Sequence, residues 1–259
     1  MQVKSAQNFS HPSTSNSSSS NSSSSTVEEF RLFLDRQDAG RRLATKLWPF
    51  KKESPLILAL PRGGVPVAVE VAKTLEAPMD ILMVRKIGHP RNPEFGVGAT
   101  AEGGLTWMSP GATQYWDESS ETLQASIDRE QNEIQRRLSL YRGTRDFPSV
   151  KDRSILLIDD GLATGVTATA ASHVLRLNGA KKITLAVPIC ASESADQMRS
   201  FFDEVICFKK ASHFQAVASW YKDFHQVSDE EVLLALNEAK TLERTYHSDF
   251  QFSASKNQH

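Results

Sequence analysis

Two neighbouring carboxylates, Asp159 and Asp160, follow a short apolar run and precede a loop that contains glycines and threonines. The run of residues 155–158 is apolar and rich in β-branched side chains, which predicts a central parallel strand buried on both faces. In open α/β sheets, ligands bind beyond the carboxyl ends of the strands, so the two aspartates should lie at a binding edge. Ionised carboxylates accept hydrogen bonds from vicinal hydroxyls and coordinate hard cations, so these residues are candidates for binding a sugar diol or Mg²⁺.

The residues after the two carboxylates predict an anion-binding turn. Gly161 and Gly165 permit a tight loop, and threonines supply hydroxyl groups at the start of a helical pattern over residues 168–177. Backbone N–H groups and the positive end of the helix dipole converge at such a start, which is where proteins bind phosphate. A solvated turn followed by an ordinary helix start is the alternative. The predicted phosphate loop consists of Gly161, Leu162, Ala163, Thr164, Gly165 and Thr167.

A second apolar run, residues 56–60, ends in a segment suited to bind another anion. Gly63 and Gly64 would let backbone N–H groups approach an anion closely, and Arg62 could meet phosphate oxygens through its planar guanidinium. A helical pattern over residues 67–75 follows this segment. An ordinary strand-to-helix turn is the alternative interpretation.

A third apolar run, residues 81–86, ends in two cations, Arg85 and Lys86. Residues 87–93 contain so much glycine and proline that they predict an irregular, mobile lid over the site. Solvated side chains at a strand end are the alternative for the two cations. Residues 95–101 superficially match the dinucleotide-binding fingerprint, but no strand leads into them and no βαβ unit surrounds them, so that interpretation is rejected.

The pattern of an apolar strand, two acidic residues, three variable residues and Thr-Gly-x-Thr resembles the signature of the type I phosphoribosyltransferases. The resemblance implies that residues 161–167 hold the 5-phosphate of 5-phosphoribosyl pyrophosphate (PRPP). It also implies that Asp159 and Asp160 bind the ribose 2- and 3-hydroxyls, directly or through Mg²⁺. The expected substrate is therefore PRPP, and the expected cofactor is Mg²⁺, held by these two aspartates.

The same resemblance assigns roles to the two other segments. Residues 62–64 correspond to the family's pyrophosphate-binding loop, which often carries a cis peptide, so the bond after Pro61 is a candidate for one. Arg85 and Lys86 correspond to the basic approach to a flexible loop that closes over the reacting centre and excludes water. The catalytic candidates are therefore Asp159, Asp160, Arg62, Arg85 and Lys86.

A closer resemblance, covering about residues 28–240, is to a bacterial group of stand-alone predicted phosphoribosyltransferases. It rests on five segments: Asp35-Arg36-x-x-Ala39-Gly40, residues 59–67, residues 84–88, residues 159–165, and residues 220–232 from Trp220-Tyr221 to Glu231-Val232. This resemblance implies the reaction class more than the acceptor. Ala163 stands where the hypoxanthine-guanine branch carries an Asp, which argues against a close analogue of the 6-oxopurine enzymes.

The acceptor site has only weak candidates. If a flat base binds, Phe214, Trp220 and Tyr221 are the nearest candidates for a stacking surface. The alternative is that these aromatics close the core beneath the C-terminal helix. His213 and His225 could act as general bases, although a structural role is the alternative for both.

Composition limits the class of protein. The chain has 259 residues, of which 39% are hydrophobic and 24% charged, with a net charge of −1, as expected for a soluble protein with one sizeable core. This balance argues against a general binder of nucleic acid or of anionic membranes. No hydrophobic signal core is evident, and Cys190 and Cys207 each end an apolar run, so we expect buried, reduced thiols and a cytoplasmic location.

Local patterns also predict the domain organisation. Residues 1–26 form a serine-rich tail expected to be disordered, residues 27–240 a phosphoribosyltransferase-like domain, and residues 241–259 a flexible C-terminal tail. The alternation of apolar runs and helical patterns predicts an α/β fold with a mainly parallel sheet and helices on both faces. The additions to it are an inserted helix over residues 117–141 and a C-terminal helical and aromatic segment.

Together these features predict a Mg²⁺-dependent phosphoribosyltransferase. It would transfer the 5-phosphoribosyl group from PRPP to a nucleobase-like nitrogen and release pyrophosphate, and the resemblance implies a homodimer. One alternative is a regulator of the same fold that binds PRPP or a nucleotide without catalysis; the DNA- or RNA-binding appendage that would favour it is not apparent. The other is a hydrolase with water as acceptor, which pyrophosphate release without any base would reveal.

Overall fold

The computed structural model describes residues 31–89, 92–109 and 120–256, without the side chains of residues 92–95, 120 and 245–256. The serine-rich tail therefore lies outside the described residues. Among the described helices, none combines the length and the apolar character that crossing a bilayer requires.

A five-stranded parallel sheet forms the centre of the protein. Its strands are β1 (Leu56–Ala59), β2 (Met79–Ile81), β6 (Ser154–Ile158), β7 (Lys182–Ala191) and β8 (Glu204–Ala211). Their order is β2-β1-β6-β7-β8, and every neighbouring pair is parallel. The strand β6 is thus central, and it pairs with β1 up to Ala59 and Ile158, which places the loops after both strands side by side.

Helices cover both faces of this sheet. They are α1 (Arg36–Leu47), α2 (Gly64–Leu75), α3 (Ser120–Tyr141), α4 (Val166–Leu177), α5 (Ser192–Met198) and α6 (Asp229–Lys256). Side chains of α1, α2, α3 and α6 share one core with Leu156 and Ile158. Those of α4 and α5 share the other core with Ile155 and Leu157. Because side chains alternate between the faces of a strand, an uninterrupted apolar run such as β6 supplies both cores.

The predicted fold class is confirmed: a mainly parallel α/β sheet lies between two helical layers. The inserted helix is present as α3, and its predicted residues 117–119 lie outside the described residues. The helix predicted over residues 168–177 is present as α4, and it begins at Val166, two residues before the predicted start. The last helix continues past residue 240 to Lys256.

The prediction of irregular structure after Lys86 is wrong. The strands β3 (Val84–His89) and β4 (Asn92–Ala101) pair antiparallel, and β5 (Thr106–Met108) completes a small second sheet. The register of the pairing between β3 and β4 shifts around Gly88, and glycine tolerates the backbone of a β-bulge at such a position. Buried Ile87 and Val97 anchor the two longer strands next to α3. Pro90 and Arg91, which were also predicted as part of the lid, lie outside the described residues.

The antiparallel hairpin also bears on the rejected dinucleotide fingerprint. Residues 95–101 lie within β4, whose partners β3 and β5 are both antiparallel to it. They therefore do not form the turn of a βαβ unit, and the rejection is confirmed.

Candidate active site

The loops after β1 and β6 meet at the carboxyl edge of the sheet. A Cβ atom added to Gly63 would lie 2.0 Å from Oδ2 of Asp160, and one added to Gly64 would lie 2.7 Å from the backbone oxygen of Ile158. Only glycine fits at both positions without displacing the neighbouring loop. The peptide bond between Pro61 and Arg62 is cis, as the resemblance implied. The sequence therefore brings the predicted pyrophosphate loop directly against the two carboxylates.

The two carboxylates differ in their surroundings. Oδ1 of Asp159 accepts a hydrogen bond from the backbone N–H of Asp160 over 2.9 Å, and Asp159 lines a cleft at this edge. Burial raises the pKa of Asp159 well above its ordinary value, and the neighbouring charge of Asp160 raises it further. Burial also raises the pKa of Asp160, against the opposing effect of Arg36. Two neighbouring carboxyl groups in a desolvated position favour the binding of a cation or of the hydroxyl donors of a ligand.

Arg36, the first residue of α1, forms a buried ion pair with Asp160. Its Nε donates to Oδ2 of Asp160 over 2.8 Å, and the two side chains are 8% and 14% exposed. Its Nη1 donates to the backbone oxygen of His225 over 2.8 Å, and its guanidinium lies 3.8 Å from the ring centroid of Phe224. Arg36 thus ties the C-terminal segment to the acidic pair.

The sequence did not reveal this role. Arg36 is visible in the segment Asp35-Arg36-x-x-Ala39-Gly40, which carried the family resemblance but pointed to no partner. Its position is fixed by the start of α1, because Oδ1 of Asp35 accepts a hydrogen bond from the backbone N–H of Asp38 and caps the helix.

The predicted phosphate loop ends at the start of α4. Gly165 has a φ of 75°, a conformation that favours glycine, and no side chain caps this helix. The first N–H groups of α4 therefore have no side-chain acceptor, which leaves them available for an anion. Thr164 is exposed, and Thr167 lines the cleft.

The beginning of this loop, next to β6, is fixed by the neighbouring strand β7. The backbone N–H of Leu162 donates to the oxygen of Ile189 over 2.9 Å, and the N–H of Ala191 donates back to Leu162 over 3.1 Å. The hydroxyl of Ser194 donates to the backbone oxygen of Ala163. The loop is thus held at the residues that precede the exposed Thr164.

A cleft of about 550 Å³ opens beside the phosphate loop, between the hairpin β3–β4 and α3. Its lining includes the basic side chains of Arg85, Lys86, His89 and Arg129 together with Asp159 and Thr167. Nε of Arg85 lies 2.7 Å from Oε2 of the buried Glu130 of α3. The structure therefore brings Arg85 and Lys86 to the same cleft as Asp159, and Glu130 and Arg129 are lining residues that sequence reasoning missed.

Arg62 of the pyrophosphate loop has an acidic neighbour. Its Nη1 lies 3.6 Å from Oδ1 of Asp229, the first residue of α6. The hydroxyl of Tyr141, the last residue of α3, donates to the same carboxylate oxygen. The hydrogen bond from Tyr141 lowers the pKa of Asp229 below its ordinary value.

The three aromatic candidates for base stacking are not equally available. Tyr221 is 2% exposed, and its ring packs 5.2 Å from that of Phe33 and 4.9 Å from that of Phe224. Its hydroxyl donates to the backbone oxygen of Asp160 over 2.6 Å. A buried tyrosine satisfies its hydroxyl in this way while its ring fills the core, so the stacking assignment is wrong for Tyr221. Phe214 and Trp220 are partly buried against the same cluster and stay candidates.

His225 fits its structural alternative, whereas His213 is exposed. His225 is held between Asp223 and Glu231, at 3.0 Å and 2.9 Å from their carboxylate oxygens. The hydrogen bond with Glu231, and then that with Asp223, raises the pKa of His225 above its ordinary value. Cys190 and Cys207 are both buried, as the sequence predicted, and both are free cysteines.

The carboxylates of this site fit a magnesium ion only if substrate oxygens complete its coordination. No group of three or more His, Cys, Asp or Glu within the described part of the chain could hold a metal. Mg²⁺ is, however, commonly bound by one or two carboxylates together with water and substrate phosphates. Asp159 and Asp160 would be the protein ligands of such an ion.

Comparisons with known proteins agree with this geometry. The family profile described as "Phosphoribosyl transferase domain" matches residues 35–225. The provisional phosphoribosyl transferase Rv0571c of Mycobacterium tuberculosis strain H37Rv is 40% identical over 220 residues, which are 85% of this chain and 48% of that protein. The chain therefore spans about half the length of this relative.

Two further matches differ in extent. The crystal structure of TT1426 from Thermus thermophilus superposes with a TM-score of 0.68 at 38% identity, covering 79% of this chain and 97% of that one. A uracil phosphoribosyltransferase of Desulfitobacterium hafniense is 40% identical over only 62 residues, 24% of this chain and 30% of that protein.

Proposed function

Because the chain belongs to the phosphoribosyl transferase domain family, we propose that it transfers the 5-phosphoribosyl group from PRPP to a nucleobase-like nitrogen acceptor. The observation that carries this proposal is the meeting of three features at one sheet edge. The uncapped start of α4 offers N–H groups for one phosphate, the pair Asp159 and Asp160 adjoins it, and the Arg62 loop packs against that pair.

The phosphate loop would bind the 5-phosphate. The N–H groups at the start of α4 and the hydroxyls of Thr164 and Thr167 are donors suited to a dianion, and the helix dipole adds to the attraction. This contact lies away from the reacting bond, so it would position the sugar without taking part in the chemistry.

The carboxylate pair would bind the ribose. Asp159 faces the cleft and would accept hydrogen bonds from the diol, while Asp160, held by Arg36, would add negative charge beside the developing cationic sugar. When held by these carboxylates and substrate oxygens, Mg²⁺ supplies neutralising charge for the pyrophosphate oxygens.

The basic residues would stabilise the leaving group. The bond between C1 and the pyrophosphate oxygen breaks, a bond between C1 and the acceptor nitrogen forms, and that nitrogen loses its proton to solvent. Arg62 and the N–H groups of Gly63 and Gly64 would take up the charge that develops on pyrophosphate, and Arg85 or Lys86 in the cleft would add to it. The hairpin β3–β4 would limit access of water to the reacting centre.

The test is a panel of nucleobases offered with PRPP and Mg²⁺, with pyrophosphate release and nucleotide formation measured together. The panel should include adenine, hypoxanthine, guanine, uracil and orotate. At least one base should give equal amounts of both products, and Asp159→Asn should abolish most of that signal. The exposed Glu76→Gln, on the far end of α2, is the control that should keep full activity.

Other outcomes of the same panel have defined meanings. Tight PRPP binding without any pyrophosphate release would indicate a PRPP-binding regulator, and pyrophosphate release without nucleotide would indicate a hydrolase. No binding and no release would contradict the proposal. Sedimentation of the purified chain would test the homodimer that the family resemblance implies.

A further inference from the structure

The side chain of Arg62 lies beside a carboxylate that does not belong to the proposed phosphate or ribose sites. Nη1 of Arg62 lies 3.6 Å from Oδ1 of Asp229, and the two side chains are 21% and 25% exposed. Within the described part of the chain, Asp229 is the ion-pair partner of Arg62. One edge of the guanidinium therefore faces Asp229, and its other donors are left for a ligand.

Asp229 is itself held in place by neighbours from α3. The hydroxyl of Tyr141 donates to Oδ1 of Asp229, and Nη2 of Arg136 lies 3.7 Å from Oδ2. Asp229 also begins α6, where the helix dipole favours a negative charge. Contacts with α3 and the start of its own helix thus hold the carboxylate in place. It lies next to Arg62 of the pyrophosphate loop but is not part of that loop.

We propose that Asp229 is a positioning residue for Arg62, which it holds so that the remaining guanidinium donors meet the pyrophosphate of PRPP. The proposal rests on the proposed function, because it needs Arg62 to bind pyrophosphate. Asp229 would touch no substrate. Its effect would come from fixing a long side chain before binding, since a free arginine loses rotamer freedom when a ligand immobilises it.

The geometry also defines a competing behaviour. A carboxylate beside an anion site could instead compete with pyrophosphate for Arg62, in which case its removal would strengthen binding. Positioning and competition thus predict opposite changes in affinity for the same substitution, and this makes the proposal decidable.

The experiment measures the affinity of the full-length chain for inorganic pyrophosphate with Mg²⁺, by calorimetry, in Asp229→Asn. Asparagine keeps the size of the side chain and an oxygen for the Tyr141 hydroxyl but removes the charge. We expect the dissociation constant for pyrophosphate to rise about tenfold, the equivalent of about 1.4 kcal/mol. In turnover assays, KM for PRPP should rise and kcat should change less.

Glu230→Gln is the matched control. Glu230 is the next residue of α6 and is exposed, so the substitution removes the same charge from the same helix start without touching Arg62. Its pyrophosphate affinity should stay within about twofold of the wild-type value, because surface substitutions away from a site have small effects. If Asp229→Asn does not fold, Tyr141→Phe replaces it, since it removes the donor that orients Asp229; the effect should have the same direction and be smaller.

Ribose 5-phosphate separates failure of this proposal from failure of the proposed function. It should bind at the phosphate loop of residues 161–167 and be unaffected by Asp229→Asn. Unchanged or tighter pyrophosphate binding in Asp229→Asn, or an equal loss in Glu230→Gln, would overturn the positioning role. A wild-type chain that binds neither pyrophosphate nor ribose 5-phosphate would contradict the proposed function itself.

Discussion

Replacing Arg36 by methionine should destabilise the protein strongly, because it leaves Asp160 without its counter-charge. Both side chains are largely buried, at 8% and 14% exposure, and their charged atoms lie 2.8 Å apart. Removing one partner of a buried ion pair typically costs about 3–5 kcal/mol. The free energy of unfolding of typical domains is about 5–15 kcal/mol, so the variant should lose a large share of its stability.

The other contacts of Arg36 contribute to this cost without adding simply to it. Its hydrogen bond to the backbone oxygen of His225 would be lost, and a charged donor of this kind is worth about 1.5–3 kcal/mol. Methionine would keep apolar contact with the ring of Phe224 and so replace part of the packing.

Urea unfolding followed by circular dichroism measures the effect, in a cycle of Arg36→Met, Asp160→Asn and the double variant. Because the double variant contains neither charge, it should be more stable than the sum of the single effects predicts, by about 0.5–3 kcal/mol. Arg42→Met is the matched control: it is the same substitution on the same helix, at an arginine that is 40% exposed in its i,i+4 pair with Asp38, and it should cost no more than about 1 kcal/mol. An Arg36→Met variant as stable as the control, or single effects that add, would refute the reasoning.

Three further predictions concern the site and its pH dependence. Gly63→Ala should lower PRPP-dependent turnover by about a hundredfold or more, since its Cβ would lie 2.0 Å from a carboxylate oxygen of Asp160 and displace it; undiminished turnover would contradict this packing. Asp159→Asn and Asp160→Asn should each lower the rate of PRPP consumption by about 10²- to 10³-fold, and a variant with unchanged turnover would lose its assigned role. The raised pKa of His225 means that its stabilising effect is present below about pH 6.5 and is lost as the pH rises through its folded-state pKa. In chemical unfolding, the free energy of unfolding of His225→Gln should therefore be lower than that of the wild type by roughly a few tenths of a kcal/mol at pH 6. The difference should be smaller at pH 9.

The features that the sequence predicted correctly depend on local patterns. The apolar run of β6, the two carboxylates and the loop to Thr167 are contiguous in the chain, so their structure follows from neighbouring residues. The turn at residues 62–64 was predicted for the same reason. Its contact with Asp160 follows from the parallel pairing of β1 and β6, which the fold class implies.

The features that the sequence did not predict depend on contacts between distant residues. Arg36 and Asp160 are separated by 124 positions, and no local pattern indicates that they pair. Tyr221 was grouped with two partly buried aromatics because spacing alone does not reveal that its ring fills the core beside Phe33. The hairpin was interpreted as a loop because glycine and proline signal turns locally, while the pairing of β3 with β4 is what makes the segment extended.

Calorimetric titration of PRPP with Mg²⁺ shows directly whether the carboxyl edge of β6 binds PRPP. The wild-type chain should bind one PRPP per protomer. Thr167→Val should bind it about ten- to a hundredfold more weakly, because a hydrogen bond to a charged phosphate is worth about 1.5–3 kcal/mol. No detectable binding by the wild-type chain, or equal affinity in the variant, would contradict the claim.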